Sequence, residues 1–241
     1  MRVLVCIPTY QEADNIATIL RRVRASVPSA DILVIDDGSP DGTADLAEAL
    51  GEELRQVDVL RRTEKSGLGN AYRAGFAIGL EKGYDAMVEI DADLSHDPAA
   101  LPSLLHAVED GADLAIGSRY VPGGHIPDWS WHRKALSRWG NRYAGAVLGI
   151  GVRDATAGYR VYRADMLRAI DLPTVRAAGY GFQIEMTYRV AQHAGRIVEV
   201  PIDFVDRTLG KSKMSGNIAR EALLLVTWWG IRDRILRRGK A

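Results

Sequence analysis

The stretch AMVEIDADLSHDP, residues 86–98, decides the fold. It opens as an apolar run, with Met87, Val88 and Ile90, that reads as a buried strand, and it then presents Asp91 and Asp93, one residue apart. On an extended backbone, residues i and i+2 point to the same side. Both carboxylates can therefore meet one small, hard object just beyond the strand's end. An all-oxygen pair suits Mg²⁺ or Mn²⁺ rather than zinc, which favours His and Cys, and such an ion keeps positions for substrate phosphates. Asp-x-Asp alone is common, and acidic loops usually face only water. Here a strand runs straight into the pair and a turn at 95–98 follows it. Open α/β sheets bind ligands at the carboxyl ends of their strands, which is where the pair falls.

Outward from this stretch, the first half of the chain repeats strand then helix with short turns, the pattern of a parallel sheet with crossover helices. Residues 2–7 form a continuous apolar run. After PTYQE, Ile16, Ile19, Leu20 and Val23 recur at helical spacing, with Asp14 placed to cap. Residues 31–35 predict a second strand, followed by DDGSPDG, a turn dense in residues that tolerate unusual backbone angles. A helix over 43–54, a third strand over 57–60 and a helix rich in Gly and Ala over 68–82 lead to the Asp-x-Asp strand. A helix over 98–109 and a strand over 113–117, ending in Ser118 and Arg119, come next.

Beyond Tyr120 the character changes. Turn residues mix with Trp129, Trp131, Trp139 and Tyr143, and with Arg133, Lys134, Arg138 and Arg142. A strand over 158–163, a helix near 182–193 and a strand over 197–205 complete the globule. RTLGKSKMS, residues 207–215, reads as a basic loop, and 217–241 as a helix that is apolar over 223–231 and then basic. With no internal repeat and no low-complexity linker, the reading is one α/β catalytic domain over 1–216 and a helical extension over 217–241.

Composition narrows the classes. The 241 residues carry 31 basic and 31 acidic side chains, so whole-molecule charge does not point to nucleic acid. The single cysteine, Cys6, excludes an internal disulfide, fits a reducing compartment and reads as core packing. The chain opens on a strand with no visible signal peptide, and no window reaches the ~18 apolar residues of a membrane span. A cytoplasmic location is expected.

Two further segments fall on the same sheet edge. The first strand ends in Pro8-Thr9-Tyr10-Gln11-Glu12 and the second in Asp36-Asp37-Gly38-Ser39, which places an aromatic ring and three acidic side chains there. A ring can stack on a nucleobase and a carboxylate can accept from base N–H or ribose hydroxyls; alone, DDGSPDG would read as a turn with a helix cap. Gly67-Leu68-Gly69 does not follow the first strand, as a dinucleotide fingerprint should, and close helix–sheet packing accounts for it better. The five histidines show no metal-ligand spacing, and His96 reads as a hydrogen-bonded turn residue rather than a base.

In order along the chain, IPTYQEADNI, VIDDGSPDGT, the GLGNA helix start, DADLSHDP, GSRY, DATAGYR, GYGFQIEM and DRTLGKSKMS resemble the dolichol-phosphate (polyprenol-phosphate) mannose synthases over residues 2–216. These are inverting family 2 glycosyltransferases with a GT-A fold, a mostly parallel central sheet flanked by helices. The resemblance implies transfer of mannose from GDP-mannose to a polyprenyl phosphate with Mg²⁺ or Mn²⁺. Carried over motif by motif, it assigns Pro8, Tyr10, Glu12, Ile35 and Asp37 to the nucleoside and Asp91, Ala92, Asp93 and Ser95 to the metal and diphosphate. Asp91, Asp93 and Ser95 are the implied metal ligands. Arg207 and Lys213 would close over the donor diphosphate. Arg119, shared with the donor side, would meet the acceptor phosphate together with Arg133 and Ser137. Gln11 stands where the family usually has Asn, and Ser95 where some members have Gln, which leaves open whether residue 95 touches the metal directly or through water.

The chemistry agrees with these assignments. Negative charge developing on a diphosphate leaving group calls for metal and cations. A phosphate monoester, with its second pKa near ~6, is already ionised at neutral pH and needs positioning more than deprotonation. The aromatic and basic segment 125–143 and the tail 232–240 read as membrane-interface elements, so the expected partners are GDP-mannose, polyprenyl phosphate, and a bilayer surface or a separate membrane-anchoring protein. Rival readings are a transferase using UDP-glucose or another nucleotide sugar, a non-catalytic nucleotide-sugar-binding subunit, and a sugar-nucleotidyl transferase, whose glycine-rich basic loop at the first strand is missing.

Overall fold

VLVCIPT makes the first strand, β1 (Val3–Thr9), and every residue in it except Pro8 is buried. Its side chains alternate between two cores, Val3, Val5 and Ile7 to one face and Leu4 and Cys6 to the other, so the apolar run is that of a strand covered on both sides. With β2 (Asp31–Asp36), β3 (Val57–Arg61), β4 (Ala86–Glu89), β5 (Leu114–Ser118), β6 (Arg160–Arg163) and β7 (Ile197–Pro201) it forms one seven-stranded sheet, ordered β3-β2-β1-β4-β6-β5-β7. The pairs β1–β2, β1–β4, β2–β3 and β5–β7 are parallel, and β6 runs antiparallel to both neighbours. The structure is a computed structural model and describes residues 1–65, 67–177, 179–206 and 216–238.

Helices cover both faces. On one side α1 (Ala13–Ser26) and α4 (Leu101–Glu109) bury Ile16, Ile19, Leu20 and Leu104 with Val5, Ile7 and Val88. On the other, α3 (Leu68–Glu81), α6 (Ala164–Ala169) and α7 (Gly179–Gln192) enclose Tyr72, Phe76, Phe182 and Met186 over Cys6, Ile35 and Met87. The helix α2 (Thr43–Leu54) flanks α1. A third cluster joins α7 to α5 (Trp131–Leu148) and α8 (Gly216–Arg238) through Ala144, Tyr188, Val226 and Trp229.

The glycines of α3 set how close it lies to its neighbours. A Cβ on Gly75 would stand 2.6 Å from Ile35 Cδ1, and one on Gly79 2.9 Å from Met87 Cγ, so the helix rests directly on the sheet. Gly69 faces another helix instead, with a Cβ 2.9 Å from the Phe182 ring.

Three expectations are corrected. Asp14 does not cap α1: the N-cap is Glu12, and the neighbouring loop takes the orphan amides, Glu12 N–H to Thr43 Oγ1 at 3.0 Å and Ala13 N–H to Asp41 Oδ2 at 3.1 Å. Strand β7 stops at Pro201, because the chain then turns to form bridges from Asp203 to His125 and from Phe204 to His96. The aromatic and basic segment after Tyr120 is mostly one continuous helix, α5, rather than a mixture of turns.

Candidate active site

Strand β4 delivers Asp91 and Asp93 to the carboxyl edge of the sheet through a tight turn. Leu94 takes φ +63° there, a region costly for a branched side chain, and Asp93 Oδ1 accepts the Ser95 amide at 3.0 Å across it. Asp91 Oδ1 accepts the Tyr72 hydroxyl at 3.1 Å. Burial, together with the Asp91 and Glu89 carboxylates, holds the Tyr72 phenol well above its ordinary pKa, so it stays a donor. Gly158 approaches from β6's side; a Cβ there would lie 3.3 Å from Asp91 Oδ2. Ala92 and Ser95 are buried. Two carboxylates and a hydroxyl make an all-oxygen donor set, which fits Mg²⁺ or Mn²⁺.

The parallel register Pro8↔Ile35 and Thr9↔Asp36 lays PTYQE beside DDGS. Tyr10 presents its ring there with the Lys65 ammonium 4.3 Å from its centroid, and Asp37 pairs with Arg62 at 2.9 Å. Glu12 accepts from Asn15 Nδ2 at 2.8 Å. Asp36 is not a third carboxylate for ligand: it accepts from Thr9 Oγ1 at 2.9 Å and from Ser39 N and Oγ at 2.8 and 2.6 Å, and so ties the two loops together. The Ile35 side chain lies fully buried beneath α3, not on the edge. Gln11 adopts φ +56°, in the left-handed region that Gly and, among residues with side chains, Asn and Asp adopt most readily. Arg62 and Lys65 were not anticipated; the signal was the segment RTEK, residues 62–65, directly after β3 on the same edge.

At the other end of the edge, Arg119 follows β5. Its Nε and Nη2 bond Asp154 at 2.7 Å each, both groups buried, and Nη2 also reaches Thr156 Oγ1 at 3.0 Å. Thr156 accepts from Asn141 Nδ2 at 3.2 Å, Asn141 also donates to the Ser137 carbonyl at 3.0 Å, and Ser137 Oγ accepts the Tyr120 hydroxyl at 2.7 Å. One network thus connects Arg119 to the inner face of α5. Arg133, in the first turn of α5, pairs with Asp206 at 2.9 Å and lies over the Trp129 ring. The expected acceptor residues Arg119, Arg133 and Ser137 therefore sit around one corner of the sheet edge.

Two buried titratable groups lie just behind. Glu89 is cross-strand from Arg160 and fully enclosed; burial pushes its carboxyl up to about 8, against the pull of the Arg160 guanidinium. Arg160 is held separately by the carbonyls of Ala155, Ala157 and Gln183 and by the hydroxyls of Thr187 and Tyr162. His96 packs between the Tyr159 and Phe204 rings, and burial lowers its imidazole to about 4 against the pull of Asp93. Its Nδ1 meets no hydrogen-bond partner among the described residues, so His96 is an aromatic spacer here, not the hydrogen-bonded turn residue expected.

Arg207 and Lys213 lie outside the described residues. The chain leading toward them is anchored on the turn that carries Asp93 and Ser95, since the Val205 amide donates to the Ser95 carbonyl at 3.2 Å.

Glycosyl transferase family 2 matches the chain over residues 4–171. The chain is 56% identical over 234 residues to the undecaprenyl-phosphate mannosyltransferase of Micrococcus luteus, across 97% of this chain and 96% of that one. It is 53% identical to the polyprenol monophosphomannose synthase of Mycolicibacterium smegmatis, across 98% and 89% of the two chains. To the dolichol-phosphate mannosyltransferase of Pyrococcus furiosus it is 35% identical, across 98% and 67%. Among solved structures, glucosyl-3-phosphoglycerate synthase from Mycobacterium tuberculosis, in complex with Mn²⁺, UDP and glucosyl-3-phosphoglycerate, superposes with a TM-score of 0.70 at 20% identity, over 94% of this chain and 79% of that one, which shows a common GT-A fold. The mostly parallel sheet, the paired aspartates at its edge and these likenesses lead to one conclusion: the chain belongs to glycosyl transferase family 2, among the polyprenol-phosphate mannose synthases.

Proposed function

We propose that the chain moves mannose from GDP-mannose to the phosphate of a polyprenyl phosphate with inversion at the anomeric carbon. The observation that carries this reading is the placement of an all-oxygen acidic pair, Asp91 and Asp93, between a nucleoside-like platform at Tyr10 and Asp37 and an arginine corner at Arg119 and Arg133.

In this reading Tyr10 offers its face to the guanine and Asp37 accepts from the base, with Arg62 and Lys65 moving toward the donor phosphates. Asp91, Asp93 and Ser95 would hold Mg²⁺ or Mn²⁺, and Tyr72 and Gly158 keep Asp91 in place. When bound, the ion supplies positive charge to the departing diphosphate. Arg119 and Arg133, with Ser137 on the same corner, orient the lipid phosphate. A phosphate oxygen attacks the anomeric carbon, that carbon's bond to the nucleoside diphosphate breaks, and the electron pair leaves with the diphosphate. The nucleophile already carries its charge near neutral pH, so no general base is required; His96, neutral and buried among rings, does not serve as one. Arg207 and Lys213 add cationic charge over the diphosphate in the same reading.

The acceptor's tail implies a bilayer. No helix among the described residues is long and apolar enough to cross one. Instead, Trp131, Leu136 and Trp139 on α5 and Leu224, Trp228 and Ile231 on α8 stand exposed, Trp131 by 77% and Trp228 by 62%. The two helices join through the Tyr143–Thr227 hydroxyl pair at 2.7 Å and a close approach of Gly230 to Val147. Aromatic residues beside Arg138 and Arg142 form an interfacial face, so α5 and α8 rest peripherally on the cytoplasmic leaflet or on a membrane-anchoring protein.

The test is a donor panel. Purified chain with a short polyprenyl phosphate and Mn²⁺ is given labelled GDP-mannose, UDP-glucose or UDP-mannose in parallel. Label passes to lipid from GDP-mannose; equal or faster transfer from a uridine donor would replace this reading.

A further inference from the structure

Trp129 stands between the two arginines of the acceptor corner, and nothing in the proposed chemistry uses it. The residue is 8% exposed. The Arg133 guanidinium carbon lies 3.8 Å from its ring centroid and that of Arg119 5.5 Å away. The ring's orientation is set by an edge contact with Phe204, centroids 5.5 Å apart and planes at 77°, and Phe204 in turn packs on His96 beside the metal turn. The Trp129 indole Nε1 is buried with no hydrogen-bond partner among the described residues. The ring itself packs on Phe204 and meets the two cations.

Arg119 needs little help, since Asp154 fixes its guanidinium from the edge while Tyr120, Trp129 and Phe204 surround it. Arg133 is different. It sits half exposed on the first turn of α5, and its carboxylate partner among the described residues, Asp206, is half exposed as well. A long cationic side chain in that setting samples many rotamers. The electron-rich face of an indole offers one rigid stacking surface. Asp206 marks where an anion can meet Arg133 while the guanidinium stays on the ring.

We propose that Trp129 is the positioning residue of the acceptor-phosphate site: its indole holds Arg133 beside Arg119 so that one phosphate group is gripped by both. Binding of the acceptor exchanges the Asp206 carboxylate for a phosphate oxygen without moving Arg133 off the ring. The inference rests on the reading of Arg119 and Arg133 as acceptor ligands.

The experiment uses the full chain with Mn²⁺ and a short polyprenyl phosphate. It measures acceptor KM and kcat, and GDP-mannose affinity by calorimetry, for Trp129→Phe, Trp129→Leu, Arg133→Ala and the Trp129→Leu/Arg133→Ala double variant. Acceptor KM rises about tenfold in Trp129→Leu and about threefold in Trp129→Phe, which keeps a weaker aromatic face. Donor affinity stays within about twofold, and the double variant is no worse than Arg133→Ala alone. If Arg133→Ala raises acceptor KM but neither Trp129 variant does, or if the double variant shows multiplied losses, the positioning role is wrong while the functional reading stands. If Arg133→Ala leaves acceptor KM unchanged, the functional reading fails and this inference with it. An equal fall in donor affinity would make Trp129 merely structural and overturn the inference. Should the leucine variant not fold, Trp129→Phe decides, and an unchanged acceptor KM in it overturns the proposal.

Discussion

The carboxylate of Asp154 holds the guanidinium of Arg119 from its edge, with Oδ2 on Nε and Oδ1 on Nη2 at 2.7 Å each, and Oδ2 also takes the Arg119 amide at 3.0 Å. The amides of Arg153 and Asp154 in turn donate to Glu199 of β7 at 2.9 and 3.0 Å, so three segments meet at one pair. Asp154→Asn keeps the shape but leaves a buried cation with a neutral partner. Breaking a buried pair in this way costs about 3–5 kcal/mol. Urea unfolding of the variant measures it; a loss below about 1 kcal/mol, the scale of exposed pairs, contradicts the assignment.

Gly158 leaves room for Asp91, as the 3.3 Å from its would-be Cβ to Asp91 Oδ2 shows. Gly158→Ala pushes that carboxylate by a few tenths of an ångström while leaving the core intact. The Mn²⁺ concentration giving half-maximal activity rises about tenfold, the low end of the scale for a disturbed outer-shell contact, and thermal stability barely changes. An unchanged metal requirement shows that Gly158 does not constrain Asp91.

Burial pushes the Glu89 carboxyl up to about 8 from an ordinary 4.5. Between those values the folded chain binds a proton that the unfolded chain has released, so stability falls as pH rises through the window and levels off above about 8. His96 acts in the opposite sense, because burial holds its imidazole at about 4 from an ordinary 6.5, and it is silent above that range. From pH 6.5 to 8 the parent therefore loses up to about 1.4 kcal/mol per pH unit relative to Glu89→Gln. Denaturation midpoints of the two proteins at several pH values check this; parallel curves contradict it.

Much of the architecture was legible in the sequence, because covered strands read as apolar runs and α1 repeats its apolar residues at helical spacing. The position of the Asp91/Asp93 pair at the sheet edge was legible too, but not its geometry: β4 ends at Glu89 and the pair sits in a turn with Leu94 in the left-handed region, not on extended backbone. The rest of what stayed hidden was long-range. Asp36 and Asp37 are adjacent and alike in composition, and only the structure separates them, tying the first to Thr9 and Ser39 and pairing the second with Arg62. Asp14 looked like a cap because the acceptors that serve the first amides of α1, Thr43 Oγ1 and Asp41 Oδ2, come from a segment about 30 residues away. That Arg119 is held by Asp154 was not visible either, because that partner lies 35 positions further along. Residues 121–145 carry so many polar and aromatic side chains that helical periodicity was masked, and the exposed Trp face of α5 is the reason.

The exposed aromatic face gives a further prediction. Trp139→Ser with Trp228→Ser removes two large exposed aromatic side chains, neither of them among the residues assigned to the acceptor corner. Flotation with anionic liposomes drops by about tenfold, while transfer to a short acceptor in detergent keeps the parent rate. Undiminished flotation removes α5 and α8 from the membrane contact.

The central claim is that Asp91 and Asp93 together carry the metal on which leaving-group charge depends. The decisive measurement is transfer of labelled mannose from GDP-mannose to a short polyprenyl phosphate by Asp91→Asn and Asp93→Asn, each at saturating Mn²⁺ and each shown to be folded. Both variants lose activity by about 10²-fold or more, the scale of removing one electrostatic contact to developing charge. Transfer by either variant at the parent's rate would contradict the account.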